Sequence, residues 1–193
     1  MLPGVIGFNP DHFHDAKPTD SFSNGRGGYF FLQGLTDCAK GKFLWYTWGP
    51  KSEDEDEDTH AMRQELDIYI RARYPLLYVV TAEEERALAE IQKLADESKT
   101  RKQVIAWSCT EGFVNQANGR KDQTKRDPLL ALNSIMEDNT PTLVILRDFH
   151  PFFENHEIVR KLRDLAQALQ QGHRTVILLS PVLRIPPELE KEI

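Results

Sequence analysis

From Leu76 onward the chain alternates short apolar runs with longer segments patterned for helices, and this alternation restricts its fold more than any other feature. The runs are Leu76–Val80, Gln103–Ser108, Leu143–Leu146 (inside Thr142–His150) and Thr175–Leu179. Continuous apolar runs suit strands buried on both faces, whereas a strand with one wet side would alternate. Strands separated by helices join through right-handed crossovers, which place helices on both faces of a parallel sheet. The expected fold is α/β, a three-layer parallel-sheet domain over residues 62–193.

The helical segments carry their own start and stop signals. Met62–Arg73 spaces Leu66, Tyr69 and Ile70 along one face, and Pro75 stops it. Thr81 and Glu84 have capping-box spacing at the start of Ala82–Glu97, which turns Leu88, Ile91 and Leu94 inward. Asp127-Pro128 reads as an N-cap followed by proline at the first helical position, with that helix running to about Asp138. Asn155–Gln171 sets Ile158, Val159, Leu162, Leu165, Ala166 and Leu169 on one face, and Gly172 ends it. A last helix is expected to begin at Pro187. Thr110–Arg126 reads as a polar loop.

Residues 1–50 differ in character. Asp11–Gly28 is loop-like, and the aromatic runs Tyr29–Gln33 and Lys42–Trp48 can pair as a hairpin. Phe30, Phe31, Trp45, Tyr46 and Trp48, with Phe43, offer more apolar area than one hairpin buries within itself. They are candidate partner-binding residues, for another protein or a second copy of the chain, with docking on the α/β domain as the alternative. His12 and His14 match no usual zinc spacing. Residues 51–61 are expected to form an acidic linker, built on Glu53–Asp58.

That acid run accounts for the whole net charge of −6; without its six acids the chain has 24 acids against 24 Lys and Arg. No basic stripe points to nucleic acid. The start lacks the pattern of a secretory signal, and no apolar run approaches the ~20 residues that span a bilayer. Cys38 and Cys109 form no metal or redox motif and fit a reducing compartment, so a cytoplasmic or plastid-stroma setting is expected.

A phosphate loop requires G-x-x-x-x-G-K-[ST], whose glycines let backbone amides wrap the phosphates while Lys meets their charge. The first strand-to-helix turn here is V-V-T-A-E-E-E-R, with no glycine, no Lys, and glutamates that repel an anion. Gly112 and Gly119-Arg120-Lys121 are too far apart to substitute. Asp148, at the end of an apolar strand, matches a Walker-B acid, but Phe149 stands where the catalytic acid belongs. A structural role, as a helix-capping or salt-bridging residue near Arg147, is the favoured reading of Asp148, with cation binding as the alternative. His150 belongs to no recognisable triad, and Cys109 is expected to be a small buried residue. The Arg120–Arg126 segment is basic but mixed with Asp122 and Asp127, so a solvated loop is weighed against a nucleic-acid-binding one.

Three strings carry a family resemblance: R-Q-E-L-D-I-Y-I-R-A-R-Y-P-L-L-Y-V-V-T-A-E-E-E-R, L-V-I-L-R-D-F-H-P-F-F, and V-R-K-L-R-D-L-A-Q-A-L followed by T-V-I-L-L-S-P-V-L-R-I-P-P-E-L-E-K-E-I. They resemble the amino-terminal region of the conserved plastid-reading-frame AAA+ ATPases of cyanobacteria and algal plastids, over about Arg63–Ile193. The resemblance implies a degenerate AAA-like domain preceding a competent ATPase module, which would hold ATP and Mg; no cofactor is expected in this fragment. It also implies strand order 1-4-3-2 counted from Leu76–Val80, a Walker-B-like place for Asp148 and a sensor-like place for Ser180. The implied role is non-catalytic: regulation or partner recruitment beside the ATPase module, in photosynthetic carbon use. The alternatives are a cryptic Mg- and nucleotide-binding ATPase using Asp148, and nucleic-acid binding through Arg120–Arg126.

Overall fold

A computed structural model describes residues 22–23, 29–30, 44–45, 55–98, 102–170, 172–189 and 193. In chain order its elements are β1 (Phe22–Ser23), β2 (Tyr29–Phe30), β3 (Leu44–Trp45), α1 (Glu55–Arg71), β4 (Leu76–Val80), α2 (Glu84–Glu97), β5 (Gln103–Ser108), β6 (Gly112–Asn115), β7 (Lys121–Asp122), α3 (Pro128–Glu137), β8 (Thr142–Arg147), α4 (His156–Leu169) and β9 (Thr175–Ser180). Short 3-10 turns occupy Gln123–Lys125, His150–Glu154 and Pro187–Leu189.

The four apolar runs stand side by side as β4-β9-β8-β5, all parallel, which is the expected 1-4-3-2 order. Every residue of β4 and β9 is buried, as two-sided burial of a continuous apolar run requires. Alternate residues face opposite layers. Leu77, Val79, Val104, Ala106, Leu143, Ile145, Ile177 and Leu179 pack with the buried faces of α1 and α2. Leu76, Tyr78, Val80, Trp107, Val144, Leu146, Val176 and Leu178 pack with α3 and α4. Burying one such side chain contributes about 1.5–3 kcal/mol, so two filled layers hold the sheet between its helices.

The sheet extends beyond the parallel core. Beside β5, the segment read as a polar loop folds into the antiparallel pair β6 and β7. Its turn chemistry explains why: Asn115 Oδ1 accepts from the amides of Ala117 and Asn118, and Gly119 supplies a φ of +68°. The 3-10 turn after β7 is pinned where the Trp107 indole donates to the Lys125 carbonyl at 2.6 Å.

At the other edge β3 pairs in parallel with β4, Leu44 opposite Val79 and Trp45 opposite Val80. Tyr29–Phe30 pairs instead with Phe22–Ser23. Among the described residues, Tyr29–Phe30 and Leu44–Trp45 therefore pair elsewhere and not with one another as the expected hairpin would have them. Phe31, Tyr46, Trp48, Phe43, His12 and His14 lie outside the described residues.

Helix boundaries follow the caps. α1 starts at Glu55, so part of the expected acidic linker is helical. It ends in a Schellman motif: Arg73, at φ +61°, donates to the Ile70 carbonyl, Tyr74 donates to that of Tyr69, and the two tyrosine rings meet at 5.3 Å. Asp127 caps α3 through the Leu130 amide at 3.0 Å, and Asn155 caps α4 through the Glu157 amide at 2.9 Å. The Thr81 box is different from its sequence pattern. The Thr81 hydroxyl accepts from the Glu83 amide at 3.0 Å, α2 starts at Glu84, and the Glu84 carboxylate is engaged elsewhere.

Candidate functional site

In an open parallel sheet, ligands lie past the carboxyl ends of the strands. Here those ends bring together Thr81 after β4, Ser180 in β9, Arg147 and Asp148 at the end of β8, and Ser108 in β5. The turn from β4 to α2 is held to β9, with the Thr81 amide donating to the Ser180 carbonyl at 2.9 Å.

The middle of this edge is filled by an ion-pair cluster. Arg147 donates through Nη1 to Glu84 Oε1 at 2.8 Å and through Nη2 to Glu111 Oε2 at 2.7 Å and Ser108 Oγ at 3.2 Å. Its Nε is buried without a protein partner among the described residues. Desolvation pulls the guanidinium pKa down, but the hydrogen bonds to Glu111 and Glu84 outweigh it and hold the pKa above its ordinary value. Glu111 also accepts from Lys121 Nζ at 2.5 Å; that bond, then the one from Arg147, lowers its carboxyl pKa to about 2. At the start of α2, where free amides would receive an anion, Glu84 is the anion and Arg147 its counter-charge.

Ser180 closes the edge on the β4 side. Its hydroxyl lies 2.8 Å from His150 Nδ1 and donates to the Val182 carbonyl at 3.0 Å. The Tyr78 hydroxyl donates to the same carbonyl at 2.8 Å. Burial pushes the Tyr78 phenol up, with a smaller upward contribution from Asp148. These bonds tie the segment after β9 back over the strand ends.

Asp148 sits in the left-handed region, at φ +48°, with its amide donating to the Leu179 carbonyl at 2.9 Å. Its side chain is exposed and makes no hydrogen bond or ion pair among the described residues. The salt-bridging role beside Arg147 is therefore corrected: Arg147 turns to Glu84 and Glu111. Cys109 is exposed and not the small buried residue expected, because β5 ends at Ser108 and the chain turns outward. Among the described residues no group of three or more His, Cys, Asp or Glu could hold a metal ion. No described helix is long and apolar enough to cross a membrane.

A cavity of about 680 Å³ lies elsewhere, between the β6–β7 hairpin, the 3-10 turn and α3. Ile105, Val144, Ile135 and Phe113 line it, together with Arg120, Lys125 and Arg174. Lys125 bridges two of its walls, donating to Ser134 Oγ at 2.6 Å. The segment Arg120–Arg126 is thus ordered in part, as β7 and a 3-10 turn that line this cavity, while Arg120, Lys121, Gln123, Thr124 and Arg126 are exposed, as the solvated reading expects.

Residues 62–193, which carry all of this geometry except β1 to β3 and the start of α1, match the family described as SpoVK-like AAA ATPase, N-terminal domain. The chain belongs to that family. Among its relatives are AAA domain-containing proteins ycf46. That of Guillardia theta is 36% identical over 132 residues, 67% of this chain and 26% of the relative. That of Trieres chinensis is 34% identical over 128 residues, 65% and 25% of the two chains. The chain therefore spans about a quarter of the length of these relatives. No solved structure matches it.

Within this SpoVK-like N-terminal domain, the sequence placed Asp148 and Ser180 at the strand ends, and they are there. It missed the cluster that fills the space near them. The local pattern puts Glu84 in a helix cap and Glu111 in a loop. The one available signal was Arg147 itself, a charge closing a run of buried strand residues, which needs a counter-charge from another element.

Proposed function

We propose that this domain is a non-catalytic regulatory or partner-recruiting module of a longer AAA ATPase, whose own ATPase module holds ATP and Mg. The observation that carries this reading is the Arg147–Glu84–Glu111 cluster. A nucleotide at these strand ends would meet two carboxylates already satisfied by the nearest arginine. Displacing them would strip Arg147, whose side chain is only 14% exposed, of its counter-charges. A degenerate phosphate loop supports the same reading, since Thr81-Ala82-Glu83 contains neither glycine nor lysine. The link to photosynthetic carbon use, and a stromal or cytoplasmic setting, rest on the family resemblance. Self-association or partner capture through Phe30, Phe31, Trp45, Tyr46 and Trp48 remains part of the proposal.

Phosphate release from Mg-ATP by the full chain tests the catalytic half of this reading. Release at the no-protein rate, the same in Asp148→Ala, is expected; turnover abolished by Asp148→Ala would favour the rival, a cryptic ATPase. Adding the chain to the ATPase module of the longer protein tests the regulatory half, with a changed turnover rate as the expected result.

A further inference from the structure

Arg174 stands at the start of β9, directly before Thr175, and only 8% of it is exposed. A guanidinium carries five N–H donors and no acceptor, and its burial is costly unless opposite charge and hydrogen bonds offset it. Arg174 Nη1 donates to the Ile135 carbonyl in the last turn of α3, a favourable end of the helix for a cation. That is its one protein acceptor among the described residues, and no carboxylate lies within salt-bridge distance of it there. The nearest acid acting on it is Asp138, but that carboxylate is occupied by the Thr140 amide and hydroxyl, both at 2.9 Å. Burial pulls the Arg174 pKa down, with Asp138 only partly opposing it.

Arg174 lines the 680 Å³ cavity, which falls in the ~300–1,000 Å³ range of small-molecule sites, and its other side borders a second cavity of about 440 Å³ beside α1 and α2. Ile105, Val144, Ile135 and Phe113 give that cavity an apolar surface. Of the other charged groups lining it, Lys121 is paired with Glu111, Asp122 accepts from the Thr124 hydroxyl at 2.6 Å and amide at 3.1 Å, and Asp138 is the carboxylate held by Thr140, which leaves four cations against two acids in the lining. Lys125 is held by Ser134, with Asp122 at a longer 3.8 Å. Arg120, on the rim, has no carboxylate partner among the described residues. The cavity therefore holds a surplus of positive charge, its most buried member at one end of an apolar surface.

We propose that this cavity binds a small organic anion with an apolar body, its carboxylate or phosphate seated on Arg174 and its body against Ile105, Val144 and Phe113. Arg120 and Lys125 draw the anion in from the rim. A nucleic-acid strand is the weaker fit: a single buried arginine cannot follow successive phosphates, and the cavity offers apolar wall where a backbone would need cations. The site lies by the amino ends of β8 and β9; it shares only Lys121 with the Arg147–Glu111 cluster and is centred on Arg174, so it stands or fails independently of the regulatory reading.

The full chain tests this with three probes. The first is 8-anilinonaphthalene-1-sulfonate, an anion with an aromatic body; the second is N-phenyl-1-naphthylamine, the same body without the charge; the third is octanoate as competitor. Saturable one-to-one sulfonate binding is expected, at least tenfold tighter than the neutral probe, displaced by octanoate and weakened about tenfold in Arg174→Met. Phenyl phosphate in place of octanoate distinguishes a phosphate from a carboxylate headgroup, displacement by either one supporting the site. In the unaltered chain, amide resonances of residues 112–125 and 134–138 should shift on octanoate or phenyl phosphate addition, which needs no variant to fold. Equal affinity for the charged and neutral probes would overturn the proposal, as would shifts confined to other residues or none. Shifts in the same amides with a single-stranded oligonucleotide, and none with either small anion, would overturn it in favour of nucleic acid.

Discussion

Glu84 and Arg147, 63 residues apart in the chain, meet at 2.8 Å across the carboxyl edge of the sheet. The first opens α2 and the second closes β8, so their bond locks that helix to that strand. Because Glu111 takes the other side of the guanidinium, three separate elements share one charge.

Removing both acids at once should cost more than removing the arginine. In Glu84→Gln/Glu111→Gln, Arg147 stays mostly buried without an anion, and a loss of about 2–4 kcal/mol is expected, near the range for an orphaned buried charge. In Arg147→Met the freed carboxylates are a third or more exposed and reach water, so the loss should be nearer 1 kcal/mol. Urea denaturation of both variants measures the difference, and an equal loss would mean that the cluster is not what holds this edge.

The same cluster sets an acid limit on stability. Glu111 has a pKa of about 2 against an ordinary value of 4.5, first through Lys121 and then through Arg147. The unfolded chain therefore binds this proton more readily than the folded one. The contribution of Glu111 is complete above about pH 4.5 and is lost as pH falls through about 2. Melting temperatures across that window should fall less steeply for Glu111→Gln than for the unaltered chain; parallel curves would remove Glu111 from the account.

How far these features were readable from sequence depends on the range of the interaction. The six buried residues of α4 follow from its periodicity alone, and β4, β5, β8 and β9 from uninterrupted apolar runs. Both signals are local. The strands β6 and β7 have only Phe113 and Val114 as apolar content, and the turn after them is pinned by Trp107 and Lys125, 18 residues apart. Glu84 satisfies a capping pattern locally, yet a charge on β8 claims it. Arg174 stands in sequence beside His173 and Thr175, and nothing there shows that a cavity wall will close around it.

Gly112 is where the hairpin depends on a single missing side chain. It sits at φ +73°, and a Cβ there would fall 2.2 Å from the Asp122 carbonyl oxygen, a backbone atom of the facing strand. Gly112→Ala must therefore separate β6 from β7 or move the backbone out of the left-handed region. A loss of about 1–3 kcal/mol is expected, with faster amide exchange from residue 112 to 125. Unchanged exchange there would show that the strands accommodate the methyl group.

Asp148 gives the last prediction, because conformation and charge can be separated at one position. At φ +48° a β-branched residue is strained, Asn and Asp are tolerated, and Gly is free. If the backbone is what selects the residue here, Asp148→Asn should stay within about 0.5 kcal/mol of the parent. Asp148→Gly should be neutral or slightly stabilising, and Asp148→Val should lose about 1–2 kcal/mol. A Walker-B-like acid predicts another order, since it depends on the carboxylate and not on φ: Asn and Gly would then change Mg-dependent behaviour alike. Melting each variant with and without Mg distinguishes the two. Loss of a Mg-dependent rise in melting temperature in Asp148→Asn would mean that the carboxylate holds a cation; no Mg effect in any variant, with stability following Gly, Asn and Val in that order, would assign Asp148 to the turn.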